Sequence, residues 1–248
     1  SIGLTTTSGQ GSADHLILDA WVYDNEKLVG VYELPANIPI LNNGVRPIRI
    51  RPGVKLNGQV GTRTVNPFFT DYLDDVEIFP DSTITINPVV QYRSTTQFAW
   101  IEQFEDPGIS LESTSISSAD VIRIEGQDAY QGNTGLLHLS SGEDIFECRS
   151  DTRFDLPNSG ASVILELTYR CNHSFVVGLI SRSASGEQQI PILVLNASQD
   201  WNRIYLGLTE VVSSNAAYLD HRIFFGFLRA DGTEGDINVY LDNIKLMY

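Results

Sequence analysis

The sequence predicts an all-β protein made of two sandwiches in tandem, and three observations lead to this expectation. Short runs in which apolar and polar residues alternate follow one another along the chain, separated by turn-forming residues such as Gly, Asn and Asp. No helical periodicity of any length competes with these runs. Hydrophobic residues make up 42% of the 248 residues and charged residues only 19%, which is typical of a folded β protein with a sizeable core.

The first half of the chain is expected to be a tether followed by a small sandwich. Residues 1–14 are small and polar without periodicity, which predicts a flexible N-terminal tether. From His15, two β-rich runs flank the polar turn D-N-E-K, and the later run V-R-P-I-R-I-R-P alternates isoleucine with arginine. Because roughly six or seven short strands fit into about 85 residues, we expect residues 15–98 to form an immunoglobulin-like (Ig-like) β-sandwich.

The second half, residues 99–248, follows a polar stretch at 91–99 that we interpret as a hinge. Nine strand-like runs follow at the spacing of a sandwich, from V-I-R-I-E to the last run, I-N-V-Y-L-D-N-I-K-L at 237–246. We expect this last strand to pair with the segment W-I-E-Q-F-E-D-P at 100–107, because a terminal strand needs a sheet partner. This pairing would close a second domain, a jelly-roll β-sandwich.

The charge of the chain restricts its partners. The formal net charge is −15, and an acidic surface repels phosphodiesters and anionic lipid headgroups. We therefore expect no binding to nucleic acid and no direct binding to lipid headgroups. Neutral glycans, cations and protein partners remain. No apolar run reaches the length needed to span a bilayer.

Two cysteines, Cys148 and Cys171, lie in or next to predicted strands. They could form one disulfide in an oxidising compartment or remain two separate thiols. The sequence leaves both alternatives open, because it does not give the Cα separation that a disulfide requires.

Basic residues are clustered in the first half of the chain. Five of the sixteen basic residues fall between positions 46 and 63, and an acidic group follows at 71–81. The cluster is a candidate docking face for a protein partner. Alternatively, its members form cross-strand ion pairs on an ordinary solvated face. The five residues are Arg46, Arg49, Arg51, Lys55 and Arg63.

Several stretches resemble bacterial envelope proteins. The run D-A-W-V-Y-D-N-E-K-L-V-G-V-Y-E-L-P at 19–35, with I-R-I-R-P-G at 48–53 and N-P-F-F at 66–69, is similar to a family of uncharacterised lipoproteins of the Bacteroidota. The first half also resembles PEGA-type surface modules. Further along, F-E-D-P and V-Y-L-D-N-I-K-L resemble the jelly rolls of carbohydrate-binding modules.

This resemblance implies a location in the cell envelope. Members of the lipoprotein family carry a lipid on an N-terminal cysteine, which this sequence does not include. We therefore expect an outer-membrane protein that contacts the membrane only through its lipid anchor. The opening S-I-G-L-T-T-T lacks the acidic residues of surface-exported lipoproteins, which favours the periplasmic leaflet.

The jelly-roll resemblance also implies a structural calcium ion where the first strand of the domain meets the last. Glu105, Asp106 and Asp242 match its ligands by position, and hard oxygen donors suit calcium. Alternatively, Asp242 caps a bulge and Glu105 faces solvent. We expect no other cofactor.

Aromatic side chains are the candidates for glycan binding, because flat rings stack on the C–H faces of pyranoses. The candidates for this role are Trp201, Tyr218, Tyr130 and Phe154. We expect Trp201 to pack into the core, because it begins an apolar strand. Tyr218, which we place in a loop, is the better exposed candidate.

No catalytic motif supports an enzyme. The four histidines are scattered, and the sequence has no G-x-S-x-G, H-E-x-x-H or P-loop pattern. Our first hypothesis is a non-catalytic docking or accessory subunit of a Bacteroidota envelope assembly, such as its secretion or gliding machinery. The alternative is a glycan-binding module on the jelly roll.

Overall fold

The predicted all-β class is confirmed by the computed structural model, which describes residues 1–214 and 216–248. The chain divides into two compact units, Ser1–Gln97 and Phe98–Tyr248. We call them the N-terminal and the C-terminal domain. Among the described residues, no helix is long and apolar enough to cross a membrane.

The N-terminal domain is built from seven strands. These are β1 (Gly3–Thr5), β2 (Asp19–Asp24), β3 (Lys27–Glu33), β4 (Gly44–Lys55), β5 (Arg63–Val65), β6 (Tyr72–Ile78) and β7 (Val89–Gln91). A five-stranded antiparallel sheet has the order β3-β2-β4-β5, and β6 pairs with the other end of β4. The other two strands, β1 and β7, form a parallel pair. The Ig-like sandwich for residues 15–98 stays a prediction from the sequence.

The predicted tether at 1–14 is wrong for its first residues. Gly3–Thr5 pairs with Val89–Gln91, and the side chains of Ile2 and Leu4 are buried. Their spacing of two residues places both side chains on the inner face of β1, where burial of apolar area stabilises the pairing. The beginning of the chain is thus part of the N-terminal domain.

The C-terminal domain is a sandwich of two antiparallel sheets. Its strands are β8 (Phe98–Glu102), β9 (Leu111–Ser113), β10 (Val121–Glu125), β11 (Asn133–Leu139), β12 (Ile145–Ser150), β13 (Ile164–Cys171), β14 (Phe175–Ser183), β15 (Gly186–Leu195), β16 (Ser198–Gly207), β17 (Tyr218–Leu228) and β18 (Ile237–Met247). Sheet I has the order β10-β11-β18-β13-β16, with β8 beside β18. Sheet II has the order β15-β14-β17-β12-β9. A short helix, α1 (Thr209–Ser213), precedes β17.

The core of this domain lies between the two sheets. Alternate residues of the inner strands point inward and form one hydrophobic cluster, to which sheet I contributes Leu165 and Val239 and sheet II contributes Val177 and Phe225. The outward positions on the same strands are therefore free to carry polar and aromatic side chains. These outer faces hold the candidate sites.

The predicted closure of the domain by its last strand is confirmed. β18 pairs antiparallel with β8, and Leu246 lies opposite Trp100. The indole of Trp100 donates a hydrogen bond of 2.7 Å to the Ser110 hydroxyl. Phe104, in the F-E-D-P stretch, is fully buried, and its ring lies against Gly135, where any side chain would clash.

The disulfide that we considered between Cys148 and Cys171 is not formed. Both cysteines are free and buried. Cys148 lies on β12 in sheet II and Cys171 on β13 in sheet I, so each packs into the core from a different layer. Burial raises the pKa of the Cys171 thiol, which keeps this side chain neutral.

Candidate functional site

Three aromatic rings and an arginine meet on the outer face of sheet I. The Trp201 ring lies 5.1 Å from the Tyr130 ring and 6.1 Å from the Tyr240 ring, centroid to centroid. The Arg170 guanidinium lies 4.4 Å from the Tyr240 centroid and 5.2 Å from the Trp201 centroid, within the range of cation–π attraction. We call these four residues the aromatic cluster. All four side chains are partly exposed.

Strand alternation explains why these side chains meet. Tyr240 on β18 lies directly opposite Arg170 on β13, and Trp201 on β16 lies next to the bulge that follows Tyr169. Tyr130 reaches the cluster from the connection between β10 and β11. The same connection supplies Asp128, whose carboxylate accepts a hydrogen bond of 2.8 Å from Arg170. The ion pair thus fixes the orientation of the guanidinium between the rings.

The row continues toward the other edge of the sheet with apolar residues. Leu136 on β11 lies opposite Tyr240, and Ile122 on β10 lies opposite Leu136. Ile122 is 45% exposed. One line across five strands therefore carries aliphatic, aromatic and cationic side chains in succession, over a width of about 19 Å at the usual strand spacing.

The four glycan candidates from the sequence have different positions. Trp201, which we expected in the core, lies in the aromatic cluster with Tyr130. Phe154 is buried, with its ring 5.9 Å from that of Trp100. Tyr218 is partly buried at the start of β17, where its hydroxyl donates a hydrogen bond of 2.9 Å to the Gln188 side chain. Tyr218 therefore lies on sheet II, away from Trp201 and Tyr130 at sheet I.

Sequence reasoning missed Tyr240 and Arg170. A signal for Tyr240 is present in the last strand, because N-V-Y-L places Tyr240 and Leu241 on opposite faces of the sheet. Nothing in the sequence indicates that Arg170 lies opposite Tyr240, because this contact depends on the register between β13 and β18.

The five basic residues proposed for docking lie on β4 and β5 of the N-terminal domain. Each forms an ion pair with a carboxylate of the same domain. The pairs are Arg46–Asp24, Arg49–Glu26, Arg51–Asp71, Lys55–Glu33 and Arg63–Asp19, and Arg63 also pairs with Glu33. The Arg46 and Arg63 pairs are 2.8 Å and 2.6 Å long. The strand alternation of β4 places Arg49, Arg51 and Lys55 on one face and Arg46 on the other.

A mixed row crosses the outer face of the N-terminal sheet. Leu28, Tyr23, Arg49 and Leu73 lie opposite one another in this order on β3, β2, β4 and β6. The Arg49 guanidinium lies 4.8 Å from the Tyr23 centroid, and the two leucines are 52% and 66% exposed. We call these four residues the N-terminal face. It combines the residue types that protein interfaces favour with exposed apolar area.

Two of the three calcium candidates meet at one turn. Both Glu105 oxygens accept hydrogen bonds of 2.8 Å from Asn133, one from its backbone N–H and one from its side chain. The Asp242 carboxylate accepts hydrogen bonds from the Thr134 hydroxyl at 2.9 Å and from the backbone N–H of Asn243 at 2.6 Å. Burial raises the pKa of Asp242 to about 6, and the nearby Glu105 charge adds to this rise.

The residues present fit a calcium ion only in part. Asp106 offers its backbone carbonyl to the Arg123 guanidinium, so its main chain faces that cation. Among residues 1–214 and 216–248, no group of three or more His, Cys, Asp or Glu side chains is arranged to hold a metal. Glu105 and Asp242 would be the side-chain ligands, and calcium would need carbonyl or water oxygens for the rest of its shell.

Comparison with known proteins shows that the fold is similar to that of solved structures but does not assign the chain to a family. No protein-family model matches the chain, and no curated protein matches it. The xylan-binding domain from CBM 22 is 14% identical, with a TM-score of 0.41, covering 60% of this chain and 93% of that chain. The family 11 carbohydrate-binding module of cellulosomal cellulase Lic26A-Cel5E of Clostridium thermocellum is 14% identical, with a TM-score of 0.40 and coverages of 61% and 93%.

A third similar structure is the family 30 carbohydrate-binding module of cellulosomal cellulase Cel9D-Cel44B, also of Clostridium thermocellum. It is 13% identical, with a TM-score of 0.41, and covers 62% of this chain and 94% of that chain. At such identities the likeness is one of fold, and a shared β-sandwich does not determine a ligand.

Proposed function

We propose that the C-terminal domain is a non-catalytic saccharide-binding module and that the aromatic cluster is its binding surface. The observation that carries this proposal is the meeting of three partly exposed rings around one guanidinium on the outer face of a sheet. Rings of this kind stack on the apolar faces of sugars, while nearby polar groups bind their hydroxyls.

The geometry of the rings favours a single saccharide chain over a flat, crystalline surface. The Trp201 ring is tilted by 55° against Tyr130 and by 64° against Tyr240. Rings with these tilts cannot all lie on one plane, so they do not form one flat platform. A flexible chain can turn to present successive sugar faces to such rings, whereas a rigid surface cannot.

Polar groups next to the cluster can bind hydroxyls. Asp128 is 66% exposed at its side chain, so its carboxylate can accept further hydrogen bonds. Asn238 precedes Tyr240 by two residues and therefore lies on the same face of the sheet. The side-chain oxygen of Asn238 lies 2.8 Å from the Nδ1 atom of His138. We base the proposal on these side chains alone, because one fold hosts many unrelated functions.

Removal of single rings tests the proposal. The wild-type chain is applied to an array of plant, host and bacterial polysaccharides, and affinity for each retained glycan is then measured by calorimetry. Trp201→Ala and Tyr240→Ala are expected to weaken binding about tenfold each, because one stacked ring contributes about 1.4 kcal/mol. Tyr240→Phe is the matched control, since it keeps the ring, and should bind nearly as the wild type does.

Two results would contradict the proposal. One is the absence of any retained glycan on the array. The other is a Trp201→Ala variant that folds normally and binds its glycan with unchanged affinity.

A second candidate function, docking to an envelope protein, has its own observation in the N-terminal face. Exposed Leu28 and Leu73 flank the Tyr23–Arg49 pair, so a partner could bury apolar area around an aromatic and an arginine anchor. Pull-down from native membranes with the wild type and with Leu73→Glu tests this role. Loss of a specific partner in the variant supports docking, and identical recovery by both proteins opposes it.

Anchorage to the outer membrane through a lipid, with the domains in the periplasm, stays a prediction from the sequence resemblance. So does membership of a secretion or gliding assembly. Fractionation of the native organism's envelope, with protease accessibility of whole cells, tests the location. Recovery of the protein in the soluble fraction would contradict it.

A further inference from the structure

The outer face of sheet II carries a continuous chain of ion pairs, which we call the arginine ladder. Four arginines alternate with three carboxylates along it, and every carboxylate is shared by two arginines. In order along the ladder, the members are Arg222, Glu112, Arg149, Glu187, Arg153, Asp220 and Arg182.

The distances show that the ladder is tight in most places and loose in one. Arg149 Nε lies 3.0 Å from Glu112, and Arg153 Nη1 lies 3.0 Å from Asp220. The contact between Arg149 and Glu187 is 3.8 Å, longer than a hydrogen bond. The arginines hold the pKa of Glu112 and Asp220 below its ordinary value, although burial opposes this in both cases. These carboxylates are therefore charged at neutral pH.

The ladder lies over an apolar floor. Phe224 points outward from β17, and Gly178 on β14 lies beneath its ring, so no side chain could be accommodated there. Phe224 and Ile180 are only 3% and 7% exposed, although they lie on the outer face. On the same face, the Gln189 side chain on β15 donates a hydrogen bond of 2.7 Å to Glu147 on β12 and so spans β14 and β17, the two strands between them.

The two ends of the ladder, Arg182 and Arg222, lie near each other, and no carboxylate among the described residues pairs with both of them. Arg182 lies opposite Asp220, and Arg222 follows Asp220 by two residues. Arg182 and Arg222 are thus diagonal neighbours on adjacent strands, with Cα atoms about 7–8 Å apart. On β14 the residue opposite Arg222 is Ile180, which carries no charge, whereas Glu112 is the carboxylate that pairs with Arg222.

The hydrogen-bonding capacity of the arginines is also incompletely used. The Nε atom of Arg222 is buried and has no hydrogen-bond acceptor among the residues that the structure describes. Within the ladder, four guanidiniums face three carboxylates, and Glu147 on the same face brings the sum of these charges to zero. Glu147, on the same face, accepts its hydrogen bonds from Gln189 and Thr114.

We infer that a carboxylate of an acidic saccharide binds between Arg182 and Arg222 and completes the alternation of charges. Guanidinium groups bind carboxylates through paired N–H donors, and two arginines provide them here. The side chain of Arg182 is 47% exposed and that of Arg222 is 14% exposed, so the site opens to solvent at Arg182. This site is separate from the aromatic cluster, which lies on the opposite sheet.

The ladder favours a saccharide over an acidic peptide because it presents both donors and acceptors. Glu112 and Glu187 are 43% and 41% exposed at their side chains and can accept hydrogen bonds from hydroxyl groups. A uronic acid carries a carboxylate and hydroxyls on one ring. An acidic peptide carries N–H donors only in its backbone, at a distance from the side-chain carboxylate, whereas a uronic acid holds its hydroxyl donors on the ring that bears the carboxylate.

Polygalacturonate and its methyl ester form the matched pair of probes that tests this inference. Binding to the full chain is measured by calorimetry in the presence of a chelator, so that calcium does not cross-link the polymer. We expect binding of polygalacturonate that weakens as salt is added, and at least about tenfold weaker binding of the methyl ester, which lacks the charge. Polyglutamate is expected to bind more weakly than polygalacturonate.

Two variants locate the site. Arg182→Gln, at a half-exposed position, and Arg222→Gln should each weaken polygalacturonate binding about tenfold or more, with the fold of each variant checked by circular dichroism. Trp201→Ala is expected to leave this binding unchanged, so failure here and failure of the aromatic cluster are distinguishable. The inference is overturned if polygalacturonate does not bind, if its methyl ester binds equally well, if polyglutamate binds better, or if Arg182→Gln binds as the wild type does.

Discussion

Asp242 is the side chain whose replacement tests the electrostatics of the C-terminal domain most directly. Its carboxyl is 1% exposed, and burial raises its pKa from 3.8 to about 6. A raised pKa in the folded state means that the native protein holds this proton more tightly than the unfolded chain does. The neutral form therefore contributes stability that is fully present below about pH 4 and is lost as the pH rises through about 6.

The size of the effect follows from the shift. About two pKa units at 1.36 kcal/mol each amount to roughly 3 kcal/mol of stability lost between about pH 4 and pH 7. Asp242→Asn removes the titration, so this part of the pH dependence should disappear. At neutral pH the variant avoids the buried charge but loses one charge-assisted hydrogen bond, worth about 1.5–3 kcal/mol, so we expect nearly unchanged stability there.

Equilibrium unfolding by urea, followed on the full chain with a chelator present, measures this. The difference in unfolding free energy between Asp242→Asn and the wild type should shift by roughly 3 kcal/mol in favour of the variant from about pH 4 to pH 7. Carboxylates with a lowered pKa, such as Asp24 and Asp220, lose stability at lower pH in both proteins and cancel in the difference. Parallel curves for the two proteins across this range would refute the reasoning.

Three further predictions concern stability. Calcium at about 1 mM should raise the unfolding temperature of the wild type in a thermal scan and flatten its pH dependence, because a cation relieves the repulsion between Glu105 and Asp242. Glu105→Gln should abolish this response. An unchanged unfolding temperature in the wild type would argue against the ion. Phe104→Ala should lower the free energy of unfolding in urea by about 3–5 kcal/mol, because it empties a fully buried site against Gly135. A loss below about 1 kcal/mol would mean that this ring contributes little to the core. Asp19→Asn should lower the free energy of unfolding by about 1–3 kcal/mol in the same assay, because it removes the charge of the buried carboxylate that lies 2.6 Å from Arg63. An unchanged free energy of unfolding would show that the ion pair with Glu33 alone holds Arg63 in place.

The strands of this protein could be predicted from the sequence because burial imposes a local pattern. Alternation in V-I-L-E-L-T-Y identifies β13 and its inner face, and Leu165 and Leu167 do lie in the core. The pairing of the last strand with β8 was predictable for the same reason, since an apolar terminal strand must be covered. The beginning of the chain was missed because Ile2 and Leu4 are only two apolar residues, too few to distinguish from a polar tether.

The outer faces could not be predicted to the same extent. W-N-R-I-Y-L does place Trp201 on the face opposite Ile204, so the sequence held a signal against a core position for Trp201. Its contact with Tyr240, however, depends on the register of three strands and on a bulge after Tyr169. One residue of slip would turn either ring to the other face, and no local pattern specifies where a bulge occurs.

The same limit explains why the two sheets differ in chemistry although their inner faces are alike. A core selects only for apolar volume, so Val177 on sheet II and Val239 on sheet I follow one rule. An outer face does not have to fill an apolar volume, so its side chains vary more from sheet to sheet. Rings are gathered around Arg170 on one sheet and arginines share carboxylates on the other, so we propose a different ligand for each face. Variants of Trp201 and Arg182 should accordingly act on different glycans.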